Sequence, residues 1–240
     1  MAVYAYLCVP VADALGLAWL QRGTMHARFL QPLYHGDEAV VEPRRPNDAE
    51  SATIELTLRR DNHDVCAIGR ASLDTQSRAV PDASSFPVAP LPAVPPGADA
   101  ARLAPGTVLG SFEHRFRLED PFPLMESPAS TGTGHEPVAG DHSLFGQHKV
   151  ANPAQLVALA NDILVRNASL GPWLHVESEV ECFTLVRDGT LISARGRVSK
   201  QYERRGHHFV ELDVFLVDDA EKPLQRIRHV AIYQLRQPGR

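Results

Sequence analysis

Four runs in the C-terminal half alternate between apolar and polar residues, the pattern that half-buried β-strands require. They cover residues 173–185, 190–201, 208–217 and 224–235. In the third run, Val210, Leu212 and Val214 alternate with Glu211 and Asp213. Strands that lie close together in the chain and are apolar on one face favour an antiparallel sheet. The pattern therefore predicts a four-stranded antiparallel unit.

A helical pattern comes directly before these strands. Leucine, alanine and isoleucine recur at helical spacing from Leu156 to Leu164. Asn152 is a residue type that caps helices, and Pro153 suits the first helical position. The sequence Gly171-Pro172 prevents the helix from continuing. We therefore expect a helix over residues 153–166, close to the central strands.

The N-terminal half repeats this plan. An apolar run over residues 3–20 has helical character, and residues 52–60 and 64–73 alternate as strands do. A strand, a glycine turn and another strand follow the first helix, as they follow the second. The repetition predicts an internal duplication of one helix-plus-sheet unit.

The second and third C-terminal runs allow a register to be predicted. If the hairpin turns about Arg204, Arg197 faces Glu211 and Arg195 faces Asp213, while Val198 faces Val210. Apolar side chains then meet on one face and opposite charges meet on the other, which stabilises an antiparallel pair.

A proline-rich stretch divides the two halves. Residues 77–107 contain seven prolines among alanine, serine and aspartate. Proline has no N–H to give to a helix or an inner strand, so this stretch is predicted to be an extended linker. The predicted organisation is an N-terminal unit over residues 1–80, a linker over 81–107, and a C-terminal unit over 108–240.

Charge and cysteine content restrict the partners. The 240 residues include 24 Lys and Arg against 29 Asp and Glu, a net charge of −5, which argues against nucleic acid or an anionic membrane as partner. Three widely spaced cysteines make neither a disulfide framework nor a metal site. Pro10 and Asp13 interrupt the apolar N-terminus, so we expect no membrane span and a cytoplasmic location.

Two segments carry a family resemblance. The segment ARFLQPLYHGDEAVVE resembles the strand–turn–strand signature of hotdog-fold proteins of the MaoC-like dehydratase group, which includes (R)-specific enoyl-CoA hydratases. GPWLHVESEVECFTLVRDGTLISARGRV, with YERRGHHFVELDVFL and RIRHVAIYQL, is similar to a second copy. The resemblance implies an α+β double hotdog, in which an antiparallel sheet wraps around a central helix in each copy.

The resemblance also implies a ligand, an acyl thioester and usually acyl-CoA, with no cofactor beyond the coenzyme A of the substrate. It further implies a strand before the first helix, which the N-terminal unit is expected to lack. The hydratase branch uses an Asp and a His that together activate water. No His here follows an Asp by five residues, and Val150 and Gln155 occupy the places of the acid and base.

Two residues are therefore candidates for catalysis. Asp162 lies on the second predicted helix, where the resemblance to hotdog thioesterases suggests an acidic residue that activates water or attacks the thioester. His175 stands at a strand start, and its pKa range suits a general base. Solvated or structural roles are the alternatives for both. His229, on an apolar strand face, is expected to be a core histidine.

Further residues are expected to contact the ligand. Asn161 and Trp173 neighbour the candidate catalytic residues, and Arg204 and Arg205 belong to a basic hairpin tip that could receive the phosphates of coenzyme A. A loop over residues 119–148, rich in Pro, Ser, Gly and His, is expected to cover the pocket or to be disordered.

Three functions remain open from sequence: an acyl-CoA hydratase or dehydratase with an altered site, a thioesterase, and a non-catalytic acyl-thioester-binding protein. Because a sheet with an open edge invites pairing, we also expect a homodimer.

Overall fold

One antiparallel sheet of nine strands, covered on one side by helices, forms the body of the protein. The structure is a computed structural model that describes residues 2–46, 52–60, 63–73, 78–118 and 144–236. The helices are α1 (Ala2–Arg22), α2 (Leu144–His148) and α3 (Pro153–Asn167). The strands are β1 (Gly23–Phe29), β2 (Ala39–Arg44), β3 (Ala52–Arg60), β4 (Val65–Leu73), β5 (Val108–Arg115), β6 (Leu174–Cys182), β7 (Leu191–Arg204), β8 (His207–Asp218) and β9 (Pro223–Gln234).

The strand order shows the internal duplication. The sheet runs β2-β3-β4-β1-β6-β9-β8-β7-β5. In each half a helix is followed by four strands, and the fourth of these lies next to the first. The halves meet where β1 pairs with β6. The second unit has one strand more than the first, β5, which pairs with β7 at the sheet edge. Within the described residues, no strand precedes α1.

The central position of α3 confirms the helix expected there. Asn152 Oδ1 accepts a hydrogen bond from the Ala154 N–H at 3.0 Å, and Gln155 Oε1 accepts from the Asn152 N–H at 2.9 Å. This capping box satisfies N–H groups that a helix start leaves unpaired. Eight side chains of α3 are buried in the common core: Pro153, Ala154, Leu156, Val157, Leu159, Ala160, Ile163 and Leu164.

Helix α1 is longer than the sequence predicts. It continues through Pro10 and is interrupted at Gly16, whose φ of 65° suits glycine better than other residues. Among the described residues, α1 is long and apolar enough to cross a membrane by length and composition alone. Core helices meet the same criterion, and α1 buries eight side chains: Tyr4, Ala5, Leu7, Cys8, Val11, Ala12, Trp19 and Leu20.

The hairpin β7–β8 turns at the predicted place but in a different register. Arg205 and Gly206 form a two-residue turn with φ values of 53° and 77°, and Arg204 pairs with His207. A bulge between Val198 and Lys200 then shifts the pairing by one residue. Beyond the bulge, each β7 residue lies opposite a β8 residue two positions further along the chain than predicted, as Arg197 does with Asp213 in place of Glu211.

The displaced register replaces the predicted pairs, so that Arg195 faces Phe215 and Val198 faces Leu212. Arg197, and not Arg195, faces Asp213, and the two side chains are 2.9 Å apart. Arg226 of β9 contacts the same carboxylate at 2.8 Å. A shift of two residues leaves every side chain on its original face because the period of a strand is two. Opposite charges therefore still meet on the outer face.

The proline-rich segment is attached to the outside of the second unit. Phe86 is buried against Phe215, with ring centroids 4.9 Å apart. Further along, the Ser111 N–H donates to the carbonyl of Ala89. The segment passes so close to β5 that a Cβ at Gly110 would lie 2.6 Å from the carbonyl oxygen of Pro90.

We predict that Gly110→Ala lowers the free energy of unfolding by about 1–3 kcal/mol, because the added methyl group meets backbone atoms that cannot rotate away. Urea denaturation measures the change. Gly97→Ala is the matched control, since a Cβ there has nothing within 4 Å. Equal stability of the Gly110 variant and the control would contradict this close packing.

Candidate functional site

Three polar side chains lie together on the helix-facing side of the central strands, and we call them the histidine cluster: His175, Ser178 and His229. Ser178 of β6 is the direct cross-strand partner of His229 of β9. Both are completely buried, whereas His175 at the start of β6 is only partly buried. The cluster thus extends from the dry core toward the surface.

A bulge in β6 brings His175 into the cluster. Side chains three residues apart point to opposite faces of a regular strand. The pairing of β6 with β9 shifts between His175 and Glu177, so one extra residue is inserted there. His175 and Ser178 consequently share the inner face, while Glu177 points outward and contacts Arg228 at 2.8 Å. Bulges commonly re-aim side chains next to active sites.

The contacts within the cluster form a chain. His175 Nε2 lies 2.8 Å from Ser178 Oγ and 3.2 Å from the carbonyl oxygen of Glu177. Ser178 Oγ lies 3.5 Å from Nδ1 of His229. The centroids of the two imidazole rings are 4.2 Å apart, and the rings of Phe29 and His175 pack edge to face with centroids 4.7 Å apart.

Burial keeps both imidazoles neutral. It holds the pKa of His175 well below its usual range, with a further contribution from nearby His229. It lowers the pKa of His229 to about 3. The cause is the cost of placing a charge in an apolar interior.

The Glu177 carbonyl can only accept, so it favours the tautomer of His175 that carries its hydrogen on Nε2 and leaves Nδ1 as an unprotonated base. The Ser178 hydroxyl is then free to donate to Nδ1 of His229. Nε2 of His229 has no hydrogen-bond partner within the described residues.

Asp162 has different surroundings. Its carboxyl is half-buried on α3, where burial raises its pKa and the charges of Arg166 and His114 oppose that rise. The partners of His175 are Phe29, Glu177, Ser178 and His229. Asp162 and His175 therefore form two separate candidate sites and not one dyad.

The expected ligand-contacting residues are dispersed. The Oδ1 atom of Asn161 is buried without a hydrogen-bond partner in the described residues. Trp173 is partly buried against the core, directly before β6. Arg204 and Arg205 are exposed at the tip of the β7–β8 hairpin.

The positions that carry acid and base in the hydratase branch have structural roles here. Val150 is buried and forms a bridge with Arg187. Gln155 belongs to the capping box of α3. Of the expected covering loop over residues 119–148, residues 119–143 lie outside the described part of the chain, and α2 forms the remainder.

Two other features of the described residues bear on ligands. The three cysteines are unpaired and buried, and no group of three metal-ligating side chains comes together. A groove of about 480 Å³ lies beside β5 and β7 and is lined by Ser111, Glu113, Ser193, Arg195 and Glu221 among others. It is separate from the histidine cluster.

Sequence reasoning missed Ser178 and treated His229 as a satisfied core histidine. Ser178 is three residues from His175, a spacing that predicts opposite faces unless the bulge is known. The inward position of His229 could be predicted from alternation, but its unpaired Nε2 atom could not.

The buried imidazoles should make stability depend on pH. A histidine with a native pKa near 3 and an unfolded pKa near 6.5 stays unprotonated in the folded chain while the unfolded chain binds a proton. Stability is therefore lost as pH falls below about 6.5. We predict that His229 accounts for about 2 kcal/mol of the loss between pH 7 and pH 5.

Urea denaturation of the wild type and of His229→Phe at both pH values measures this difference. The variant should lose less stability on acidification than the wild type does. An identical loss in both proteins would show that His229 is not held neutral by burial.

Known structures share this architecture. A conserved hypothetical protein from Mycobacterium tuberculosis, described as having a double hotdog fold, superposes with a TM-score of 0.57 over 95% of this chain and 80% of its own, at 12% identity. A Lactobacillus plantarum protein assigned as an oleoyl thioesterase gives 0.54 over 98% and 87%, at 13% identity. A MaoC-like dehydratase gives 0.54 over 96% and 83%, at 10% identity.

No family model and no curated protein sequence matches the chain. The structural similarities agree with the order of elements, the central helices and the duplicated sheet. The chain therefore has the double hotdog fold.

Proposed function

We propose that the protein binds acyl thioesters such as acyl-CoA and hydrolyses them, with His175 as the general base. The observation that carries the proposal is the state of the His175 ring. The ring is partly exposed, burial lowers its pKa, and its Nε2 atom contacts Glu177 and Ser178, so that Nδ1 is the nitrogen available to act as a base. Proteins of this fold that are described as a thioesterase and as a dehydratase support the ligand class.

The chemistry needs one base. Nδ1 of His175 accepts a proton from water as the water oxygen attacks the thioester carbonyl carbon. The tetrahedral intermediate then expels the thiolate of coenzyme A, and the imidazolium returns the proton to that sulfur. The Glu177 carbonyl stabilises the transient imidazolium because it accepts a hydrogen bond from Nε2.

Hydration of an enoyl thioester is the second candidate. The same nitrogen could activate water for addition to the β-carbon, as the resemblance to the hydratase branch suggests. That branch pairs its histidine with a carboxylate, whereas the side chains in contact with His175 in the described structure are Phe29, Ser178 and His229. This environment favours hydrolysis over hydration.

Asp162 offers a separate route to the same reaction. Burial raises the pKa of its carboxyl, which is typical of groups tuned for acid–base work. Because His175 and Asp162 have different partners, single substitutions distinguish them.

We expect His175→Gln to lower kcat for hydrolysis of a saturated acyl-CoA about 100-fold or more, since it removes the base. Released thiol is measured with a thiol reagent, and loss of the enoyl absorbance of crotonyl-CoA detects hydration. Asp162→Asn is the matched variant and should keep wild-type activity.

Full activity of the His175 variant together with an inactive Asp162 variant would show that Asp162, and not His175, is the catalytic residue. Binding of acyl-CoA without turnover by the wild type would show that the protein is a non-catalytic acyl-thioester-binding protein.

The hairpin tip is proposed to contact the phosphates of coenzyme A. Arg204 and Arg205 are exposed. Arg205 has a φ of 53°, which glycine adopts readily, so glycine can replace it without disturbing the turn. The double variant Arg204→Ala, Arg205→Gly should raise KM for acyl-CoA about 3- to 10-fold with kcat unchanged, because each exposed charge contributes roughly 0.2–1 kcal/mol.

Acyl-pantetheine, which lacks the nucleotide, is the control substrate, and its KM should be the same for both proteins. An unchanged KM for acyl-CoA would exclude the hairpin from the binding site.

We also propose a cytoplasmic homodimer. The edge strand β2 pairs with a strand on one side only in the described structure. Open strand edges are surfaces that a second copy can cover. The free cysteines are consistent with a reducing compartment.

A further inference from the structure

The stability of the folded chain does not explain why residue 229 is a histidine. His229 is completely buried among the central strands, and its Nε2 atom has no hydrogen-bond partner within the described residues. An unpaired polar atom in the core destabilises the folded state, and an apolar side chain of similar size would avoid that loss. A histidine at this position therefore calls for a different role.

We propose that His229 is a positioning residue that acts through Ser178 to keep the His175 ring in its reactive form. The inference rests on the proposed role of His175 as general base. It concerns the tautomer of His175, which decides whether Nδ1 can accept a proton.

Ser178 can be either a donor or an acceptor toward His175. Its Oγ atom lies 2.8 Å from Nε2 of His175, so a serine hydrogen directed there would require Nε2 to be unprotonated. The hydrogen of His175 would then sit on Nδ1, and the ring could no longer accept a proton from water at that atom. The direction of one hydroxyl therefore selects the tautomer.

His229 sets that direction. Its Nδ1 atom lies 3.5 Å from Ser178 Oγ. In the proposed arrangement this nitrogen is the acceptor that draws the serine hydrogen away from His175. The lone pairs of Ser178 then face Nε2–H of His175. The ring of His229 also packs against His175 from one side while Phe29 contacts it from another, at 4.2 Å and 4.7 Å. Both effects hold the His175 ring in one state and one orientation.

Two substitutions at position 229 distinguish the effect of the hydrogen-bond acceptor from the effect of the packed ring. His229→Phe keeps a flat ring against His175 but provides no acceptor for Ser178. His229→Asn provides an amide oxygen near the place of Nδ1 but loses the ring. We expect His229→Phe to lower kcat about 10- to 100-fold with KM changed less than threefold. His229→Asn should retain more activity than His229→Phe does.

Thermal denaturation distinguishes positioning from a structural role. His229→Phe removes the unpaired Nε2 atom, so its melting temperature should equal or exceed that of the wild type while its kcat falls. A variant that loses stability and activity in parallel would show that His229 serves the fold alone.

A readout without turnover tests the inference even if hydrolysis is not the reaction. Nitrogen-15 spectra of histidine-labelled protein at pH 7 should show His175 as the Nε2–H tautomer in the wild type and a shift toward Nδ1–H in His229→Phe. Ser178→Ala provides a second route if that variant does not fold. It should retain the Nε2–H tautomer, because the Glu177 carbonyl remains and no hydroxyl competes for Nε2.

An unchanged tautomer in His229→Phe, or the Nδ1–H tautomer in the wild type, would overturn the inference. Absence of thiol release by the wild type would instead overturn the proposed function, and the spectra would still test the role of His229.

Discussion

The pairing of β1 with β6 is the interaction on which the rest of the structure depends. It joins the two half-sheets, each of which would otherwise expose an unpaired strand edge, into one sheet of nine strands. Because the sheet is continuous, α1 and α3 cover the same side and pack against each other. The histidine cluster lies at this junction: Ser178 of β6 pairs with Ala27 of β1 on one side and with His229 of β9 on the other.

The chemistry proposed for His175 follows from where the junction places it. A partly buried ring bounded by an apolar core loses much of its hydration, which favours the neutral form that a base requires. The backbone carbonyl of Glu177 then favours the tautomer of His175 that carries its hydrogen on Nε2. On the opposite face, where solvent is available, Glu177, Arg228 and Glu211 form ion pairs instead. Strand β6 therefore has an apolar inner face and a charged outer face. The bulge at its start determines which side chains lie on each face.

Local signals in the sequence were sufficient for most of the fold. The cap at Asn152 and the apolar spacing of α3 depend on neighbouring residues, and both are found as predicted. The repeated order of helix and strands also follows from alternation. The β7–β8 register was displaced because it depends on a two-residue turn and a bulge, neither of which alternation encodes. The same limitation hid Ser178, since only a bulge places it beside His175. Contacts between distant strands, such as Ser178 with His229, depend on sheet order and not on spacing.

The most direct test of the role of His175 is a crystal structure of the protein with a non-hydrolysable acyl-CoA analogue in which a methylene group separates the sulfur from the carbonyl. We expect the carbonyl carbon to lie beside Nδ1 of His175, with room for one water molecule between them. A carbonyl placed next to Asp162, or an analogue bound in the groove beside β5 and β7, would contradict this role.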